Sequence, residues 1–272
     1  MTEGTDAPRY VAPAVEKGLD VLELLAGSVA AMTQRQIAER LGRSVPEVYR
    51  VLASLERRGY IGRGPDETYR LTMKLHQLAM AYPPIARLTD AAAPVLKQLA
   101  IDTMQSFHMS VLDGPEIQAI LHADSPAPIG FRVRVGGRST ALRNASGRVL
   151  LAFQSEATRD WILSRVTTPP SEGEAWREFV ARIPAIQAAG YEYAVEDTLK
   201  GIADVSFPVV DADGVALAVL TMPFLTIVGQ PVPLQQAAEM AFEVSQKMSA
   251  ALGGKRPAPK FPLVDPRSLG GS

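Results

Sequence analysis

The sequence predicts an α+β protein of two domains, an N-terminal winged helix-turn-helix followed by an antiparallel sheet with helices packed around it. Two observations predict this fold. Residues 33–71 carry the end signals of two short helices and then a turn-rich ribbon, and residues 106–224 contain short runs that alternate between polar and apolar side chains. With 272 residues, the chain is long enough for about two domains and a substantial core.

The first predicted helix covers residues 13–26, after a polar arm over residues 1–12 that we expect to be flexible. Pro13 suits the first turn of a helix, and Gly27 suits the position just past its end. We expect the helix to support the following helix pair with the apolar residues that recur at helical spacing, which are Val15, Leu19, Leu22 and Leu25.

Two helices separated by a glycine-containing turn follow. Thr33 and Gln36 have the spacing of a capping box, and Gly42 suits the end of the first helix. Ser44 and Glu47 repeat the capping-box spacing at the start of the second helix. The inward face of this second helix is predicted to consist of Val48, Val51, Leu52 and Leu55. Two capped helices so close together are the signature of a helix-turn-helix.

A short β-ribbon, the wing, is predicted directly after the second helix, with a tip of glycine and proline over residues 62–68. From residue 33 to residue 75 there are nine Lys or Arg against five Asp or Glu, although the whole chain has a net charge of −1. A local excess of positive charge beside such a helix favours binding to double-stranded DNA. We expect Ser44, Val45, Glu47, Tyr49 and Arg50 to lie near the bases, and Arg43, Arg57, Arg63 and Arg70 to contact phosphates.

Two other interpretations remain open at this stage. The helix pair can be purely structural with a solvated basic face, in which case the protein is a ligand-sensing dimer with weak or no specific DNA binding. An enzyme with an unrecognised site in the second domain is the other alternative.

The DNA-binding domain is predicted to span residues 13–76 and a linker helix region residues 77–90, with the boundary near Pro83 and Pro84. The proline pair is expected to break the linker helix after Tyr82. Leu71, Leu75 and Leu78 form an apolar stripe that either meets a partner subunit or packs on its own domain.

The second domain is predicted to span residues 91–253. Helices are expected over residues 91–104, 145–153, 156–166, 176–189 and 234–252, and strands over residues 107–111, 117–121, 131–135, 191–196, 203–210 and 215–224. The tail, residues 254–272, is rich in Gly and Pro and is predicted to be disordered.

No catalytic or metal-binding constellation is recognisable. There is no cysteine, and the three histidines, His76, His108 and His122, lack metal-ligand spacing. His108 lies on the polar side of a predicted strand, where it can line a cavity, although the pattern favours a surface position. We therefore expect no enzyme activity, no metal and no cofactor. The sequence begins without a signal-peptide pattern and has no run of membrane-spanning length, so a cytoplasmic protein without membrane contact is expected.

The chain resembles the IclR family of transcriptional regulators over residues 13–253. The resemblance is carried by RQIAERLGRSVPEVYRVLASLERRGYI in the first domain and by SVLDGPEI, LRNASGRVLLAF and GYEYAVEDTLKGIADVSFPVVDADG in the second. It implies a linker helix and an effector-binding domain with a GAF/PAS-like sheet. It also implies a homodimer or dimer of dimers that binds operator DNA and represses or activates catabolic operons in response to a small-molecule effector.

The resemblance places the effector pocket at two stretches, and the residues it indicates are Asn144, Ala145, Ser146, Ala194, Ile202, Asp204 and Ser206. This chain departs from the family pattern at two of them. Ala194 stands where many members have Asp, and Asp204 stands where many have Cys. A buried Asp204 would disfavour an anionic effector unless that Asp is protonated or paired. The alternation along residues 202–209, taken alone, instead favours Asp204 as a surface acid on a solvated side of the strand.

Overall fold

The computed structural model describes residues 12–80, 83–165, 173–196, 199–229, 231–255, 261 and 263. Two compact units divide between Ala86 and Arg87. Within the described residues, no helix combines the length and the apolar character that crossing a membrane requires. The predicted arm over residues 1–12 lies outside the described residues except for its last position, Ala12.

The first unit is a winged helix-turn-helix, as predicted. Its elements, in chain order, are α1 (Pro13–Ala26), β1 (Met32–Thr33), α2 (Gln34–Leu41), α3 (Val45–Arg57), β2 (Ile61–Arg63), β3 (Thr68–Leu71) and α4 (Lys74–Met80). The three short strands form one antiparallel sheet in the order β1-β3-β2. Its core contains one or two apolar residues from each of α1, α2, α3 and the strands, among them Val21, Ile37, Leu52 and Ile61, each at most 1% exposed.

Local end signals explain where α2 begins and ends. The Gln36 backbone N–H donates to Thr33 Oγ1 at 3.3 Å, and the Thr33 N–H donates to Gln36 Oε1 at 2.8 Å, which is the predicted capping box. Gly42 ends the helix with a φ of 62°, a left-handed conformation in which a Cβ is disfavoured. The second predicted capping box, at Ser44, is not formed in full, because the Ser44 side chain accepts no backbone N–H.

The buried side of α1 differs from the prediction. Val21 and Leu25 point into the core, whereas Val15 and Leu19 are 60% and 51% exposed. The predicted stripe was wrong at its first two members, because the core contacts begin one helical turn later and are shifted around the helix. The exposed pair instead lines an open apolar groove described below.

The linker and the start of the second domain also differ from the prediction. Helix α4 ends at Met80, before the proline pair that was expected to break the linker helix, and Pro83 begins a new helix, α5 (Pro83–Thr103), since proline fits the first turn, where the backbone N–H has no partner. The helix predicted over residues 91–104 therefore starts eight residues earlier, and Pro94 lies inside it. The boundary between the two compact units falls within its first turns.

The second unit is built on a six-stranded antiparallel sheet in the order β6-β5-β4-β9-β8-β7. Its strands are β4 (Phe107–Asp113), β5 (Glu116–Ala123), β6 (Arg138–Thr140), β7 (Glu192–Val195), β8 (Ile202–Val210) and β9 (Ala216–Leu225). The helices after α5 are a short 3₁₀ turn (Ala141–Arg143), α6 (Ala145–Ala152), α7 (Glu156–Leu163), α8 (Gly173–Ala189) and α9 (Leu234–Ala251).

Helices cover both sides of this sheet. Helix α6 packs on β8 and β9 with the apolar cluster that includes Val149, Leu150 and Val219. Helix α9 packs on the opposite side, where Phe242 and Phe207 have ring centroids 5.8 Å apart. Both sides of β8 are therefore buried, and the expectation of a solvated side was wrong.

Two further predictions in this unit need correction. Residues 131–135 form no strand, because the edge of β5 already pairs with β6, and Phe131 and Val133 instead face a cavity with their side chains half-buried. The predicted tail, residues 254–272, has four described positions, among which Phe261 and Leu263 make packing and hydrogen-bond contacts. Phe261 stacks on Tyr191 with ring centroids 6.2 Å apart, and the Leu263 N–H donates to Gln235 Oε1 at 3.0 Å. The remaining tail residues beyond Lys255 lie outside the described residues.

Candidate nucleic-acid interface and polar cavity

The outward side of α3 presents exposed side chains near its N-terminal end. Val45 is 44% exposed and Tyr49 is 57% exposed, and Arg50 is also exposed. The turn before them is held in place, because Gln34 Nε2 on α2 donates to the Val45 carbonyl at 3.0 Å. The N-terminal residues of such a helix are the ones that reach base edges when the helix lies in the major groove.

Glu47, in contrast, is held against the body of the unit. Its carboxylate pairs with Lys17 on α1 and accepts a hydrogen bond from Ser44 Oγ at 3.3 Å. The hydrogen bond from Lys17, and then the charge of Lys17, hold the pKa of Glu47 below its usual value. The Ser44 hydroxyl donates to this carboxylate instead of accepting a backbone N–H, so the capping box at Ser44 is incomplete.

The four predicted phosphate-binding arginines have different surroundings. Arg43 pairs with Asp20 at 2.6 Å and is partly buried. Arg63, on the wing, pairs with Glu67 and lies 5.8 Å from the centroid of the Tyr69 ring. Arg57 and Arg70 are exposed. Arg43 therefore contributes to the contact between α1 and the turn, a role that the sequence pattern did not indicate.

An open apolar groove of about 940 Å³ lies on the first unit, between α1, α3 and α4. Its apolar lining includes Val15, Leu19, Leu22, Leu75 and Leu78. Four of these are at least one-third exposed in the single chain, the exception being Leu22. Contiguous exposed apolar surface of this kind is typical of protein interaction sites.

The second unit contains a polar cavity of about 260 Å³ that opens to solvent, which we call the sheet cavity. Hydroxyl, imidazole, amide and carboxylate groups line it, supplied by β4, β8, β9 and the start of α6, and Phe131 and Val133 from the loop before β6 close one side. The polar residues on its wall are His108, Ser110, Ser139, Asn144, Ser146, Asp204 and Thr221, with Arg134 and Arg138 at the mouth.

A row of buried polar residues crosses five strands beside the sheet cavity. The register pairs His122 with His108, His108 with Thr221, Thr221 with Ser206, and Ser206 with Glu192. Residues paired in this way point to the same side of the sheet. Each of these side chains is at most 7% exposed. The sequence showed polar residues on these strands but not that they align in one row.

Ser146 at the start of α6 connects the middle of this row. Its hydroxyl shares a hydrogen bond of 2.7 Å with Thr221 Oγ1, which shares a second of 2.9 Å with Ser206 Oγ. Ser146 Oγ also lies 3.4 Å from His108 Nε2. Burial, and then the charge of His122, lower the pKa of His108 from 6.5 to about 3, so its imidazole is neutral at physiological pH.

The far end of the row is a buried ion triad. Arg148 Nε on α6 donates to both oxygens of Glu192 at 2.9 and 3.1 Å, and Arg182 on α8 also pairs with Glu192. Glu192 is fully buried, and the Arg148 residue is 5% exposed. A buried carboxylate is tolerated only when such partners satisfy it. None of these three residues was singled out from the sequence.

The start of α6 is fixed by two contacts that place Ser146. Asn144 caps the helix by accepting the Gly147 N–H at 2.9 Å and donates from its amide to Ser139 Oγ at 2.9 Å. Gly147 passes so close to the 3₁₀ turn that an added Cβ would lie 2.0 Å from the Ala141 carbonyl oxygen. Only glycine allows this approach.

The sheet cavity brings together three of the seven residues that the resemblance indicated, Asn144, Ser146 and Asp204. Ser206 lies next to it and reaches it through Thr221. The other three, Ala145, Ala194 and Ile202, are not among its described lining residues. Asp204 is 9% exposed and His108 is 7% exposed, so the surface positions favoured by the alternation were wrong for both.

The first unit and the second unit thus define a class of protein, a winged helix-turn-helix joined to a domain with a polar cavity. Comparison with known proteins specifies the family. The family model of the IclR helix-turn-helix domain matches residues 14–65, and the model of the C-terminal domain of bacterial IclR transcriptional regulators matches residues 82–250. The chain belongs to the IclR family of DNA-binding transcriptional regulators.

Individual relatives agree with this assignment. The HTH-type transcriptional regulator KdgR of Escherichia coli is 28% identical over 222 residues, which cover 80% of this chain and 84% of KdgR. The p-hydroxybenzoate hydroxylase transcriptional activator of Acinetobacter baylyi is also 28% identical, over 78% of this chain and 80% of that protein.

Solved structures share the fold. An IclR transcriptional regulator from Alicyclobacillus acidocaldarius is 27% identical with a TM-score of 0.64, and the match covers 90% of this chain and all of that one. An IclR homolog from Microbacterium hydrocarbonoxydans, solved with 4-hydroxybenzoate, has a TM-score of 0.68 at 21% identity, covering 88% of this chain and 98% of that one.

Proposed function

We propose that this regulator recognises its operator through the exposed N-terminal part of α3, with Tyr49 and Arg50 as the residues that read bases. The observation that carries this proposal is the contrast on α3 between these exposed side chains and Glu47, which is tied to Lys17. Arg57, Arg63 and Arg70 provide positive charge for phosphates, and Ser44 and Val45 lie at the helix start. Arg43 contributes indirectly, since it already pairs with Asp20.

The sheet cavity is the proposed effector site. Its walls combine buried polar groups with two apolar side chains of a covering loop, the composition that small-molecule sites share. An effector changes operator affinity only as far as it binds the two states of the regulator differently, typically by about 1–3 kcal/mol. The segment over residues 77–90 connects the two units and is the proposed route of coupling.

A second copy of the chain is the proposed occupant of the apolar groove on the first unit. Leu75 and Leu78 on α4 face Val15 and Leu19 on α1 across it, so two copies can bury both stripes together. A dimer also matches the way paired helix-turn-helix units read two half-sites of an operator. Operator binding by such a dimer, or dimer of dimers, would place the protein in the cytoplasm with the chromosome.

The experiment that tests operator recognition is fluorescence anisotropy with DNA fragments from around the gene, at two salt concentrations. Wild-type protein is expected to bind one fragment selectively and to lose affinity steeply with salt. Arg50→Ala is expected to cost about 1–3 kcal/mol on that fragment and much less on unrelated DNA. Arg132→Ala, an exposed arginine of the second unit, is the matched control and is expected to bind like wild type.

Equal loss on all fragments would make Arg50 a phosphate contact rather than a base contact. Absence of selective binding by the wild type would overturn the proposal and favour a ligand-sensing protein without an operator. The dimer is tested separately by sedimentation of Leu78→Glu, which is expected to dissociate, whereas exposed Leu199→Glu in the second unit is not.

A further inference from the structure

Three charged side chains lie close together around the start of α3. Lys17 belongs to α1, and Glu47 and Arg50 belong to α3 itself. All three line the apolar groove of the first unit. Glu47 and Arg50 are three positions apart, and residues with this spacing are neighbours on one face of a helix, with Cβ atoms about 5–6 Å apart. The Glu47 carboxylate therefore has two cations as possible partners, one on α1 and one on its own helix.

The carboxylate pairs with the cation on α1. Lys17 Nζ donates to Glu47 Oε1, and the Ser44 hydroxyl donates to Glu47 Oε2 at 3.3 Å. The Lys17 and Glu47 side chains are 25% and 31% exposed, so this pair is screened less by salt than a fully exposed pair would be. The hydrogen bond from Lys17, and then its charge, hold the pKa of Glu47 below its usual value. The carboxylate is therefore ionised at neutral pH and directed toward α1.

Arg50 is left without an acidic partner on its own unit. It is exposed, and none of the acids over residues 12–80 forms an ion pair with it. Arg43, in the turn before α3, differs from it in this respect, because it is paired with Asp20 at 2.6 Å. Arg50 thus keeps its guanidinium donors for a partner outside the chain. A bidentate contact to guanine uses two donors of this kind.

A Glu47 carboxylate released from Lys17 would compete with DNA for Arg50. Acid–arginine pairs three or four positions apart form readily on helices, and α2 contains one, in which Arg35 Nε lies 3.1 Å from Glu39 Oε1. A carboxylate and the edge of guanine use the same guanidinium donors, so Arg50 cannot serve both with the same pair of N–H groups. The contact between Lys17 and Glu47 prevents this competition.

We infer that Lys17 is a positioning residue for operator recognition, which holds the Glu47 carboxylate against α1 and so leaves Arg50 free to contact DNA. This inference rests on the proposed role of Arg50 as a residue that reads bases. It gives the support helix a part in DNA recognition although Lys17 itself need not touch the DNA. It also removes Glu47 from the set of base-reading residues that the sequence predicted.

Fluorescence anisotropy of the full chain with the selectively bound DNA fragment tests this inference. Lys17→Met is expected to weaken binding about tenfold, because the released carboxylate then occupies Arg50. Lys17→Arg keeps a cation at this position and is expected to restore most of the binding. Lys97→Met, which changes an exposed lysine of α5, is the matched control and is expected to bind like the wild type.

Two double variants show whether Lys17 acts through the carboxylate and through Arg50. Lys17→Met combined with Glu47→Gln is expected to regain most of the lost affinity, because no carboxylate remains to compete. Lys17→Met combined with Arg50→Ala is expected to bind as Arg50→Ala alone does, since both changes remove the same contact. A purely structural role of Lys17, or a phosphate contact, would instead add its loss to that of Arg50→Ala.

Four results would overturn the inference. They are additive losses in the variant that lacks Lys17 and Arg50, no recovery in the variant that lacks Lys17 and Glu47, wild-type binding by Lys17→Met, and a loss in Glu47→Gln alone as large as that in Lys17→Met. Because Lys17 also lines the groove proposed for a second copy, sedimentation is measured on the same samples. Lys17→Met is expected to sediment like the wild type, and dissociation would assign its loss of DNA binding to the contact between copies.

A measurement without DNA separates this inference from the proposed function. Lack of selective DNA binding by the wild type would contradict the operator proposal. Carbon-13 NMR titration of the Glu47 carboxyl group still tests the competition for Arg50. In the Lys17→Met background, adding Arg50→Ala is expected to raise the pKa of Glu47, whereas Arg50→Ala alone leaves that pKa unchanged. An equal pKa with and without Arg50 in the Lys17→Met background would refute the competition.

Discussion

Helix α3 and strand β8 both carry polar residues on one side, but these two polar sides lie in opposite surroundings. On α3, Tyr49 and Arg50 are exposed to solvent. On β8, Ser206 is fully buried and Asp204 nearly so, because α6 covers that side of the sheet. An exposed polar side remains available for a partner such as DNA. A covered polar side must satisfy its hydrogen bonds internally, so each of its members is sensitive to substitution.

The largest expected effect on stability comes from Glu192, at the end of the row of buried polar residues beside the sheet cavity. Glu192→Gln removes the buried negative charge that pairs with the guanidinium groups of Arg148 and Arg182. We expect a loss of about 3–5 kcal/mol in the free energy of unfolding of the second unit, measured by urea denaturation. Glu178→Gln, an exposed acid on α8, is the control and should change it by less than about 0.5 kcal/mol. Equal stability of the two variants would show that the triad is not a stabilising unit.

The next largest effect on stability concerns α6, the helix that covers the row of buried polar residues. Gly147→Ala places a Cβ 2.0 Å from the Ala141 carbonyl oxygen, so α6 must shift and disturb Ser146. Overpacking of this kind costs about 1–3 kcal/mol or more of unfolding free energy. Gly18→Ala, within α1, meets no atom within 4 Å and should raise stability by about 0.5–1 kcal/mol. Thermal unfolding of both variants checks the opposite signs, and a stable Gly147→Ala protein would contradict the close approach of α6.

A pH dependence is expected from His108 on the covered side. Its folded-state pKa is about 3, below the ordinary value of 6.5, so the unfolded chain binds a proton that the folded chain excludes. Stability should therefore fall as the pH is lowered from about 6.5 towards 3. His108→Gln should flatten this fall, whereas exposed His76→Gln should not. Denaturation midpoints measured across this range provide the test, and an unchanged pH profile in His108→Gln would place the acid sensitivity elsewhere.

The smallest stability effect is expected on the exposed side. Tyr49→Ala should change the free energy of unfolding by no more than about 0.5 kcal/mol, since the residue is 57% exposed. The same variant should weaken operator binding in the anisotropy assay. A large loss of stability with unchanged DNA affinity would contradict the contrast between α3 and β8, because Tyr49 would then stabilise the fold and not contact DNA.

The sequence predicted the helix pair and wing of the first unit because their signals are local. Thr33, Gln36 and Gly42 mark the ends of α2 within ten residues of one another, and the structure confirms them. The hairpins of the second unit were also predicted, since Gly114 and Gly214 lie at their turns with φ of 61° and 79°. Local turn chemistry determines which neighbouring strands pair.

The sheet cavity could be predicted only in part, because it depends on contacts between distant segments. His108 and Thr221 are paired by strand register across 113 positions of the chain, and Ser146 joins them from a third segment. Periodicity describes which residues share a side of a strand, not which element covers that side. For that reason the alternation along β8 predicted the division of side chains correctly and their exposure incorrectly.

The bond between Glu47 and Lys17 has a consequence for how this gene can diverge. Codons 45, 49 and 50 can change without disturbing the packing of α1 on α3. Substitutions that adapt the protein to a new operator can therefore occur at these three positions with little loss in the free energy of unfolding. Codon 47 is coupled to codon 17, and codon 43 to codon 20, so each of these pairs must change together. Lineages descended from this protein should therefore alter their DNA targets mainly through the three uncoupled positions.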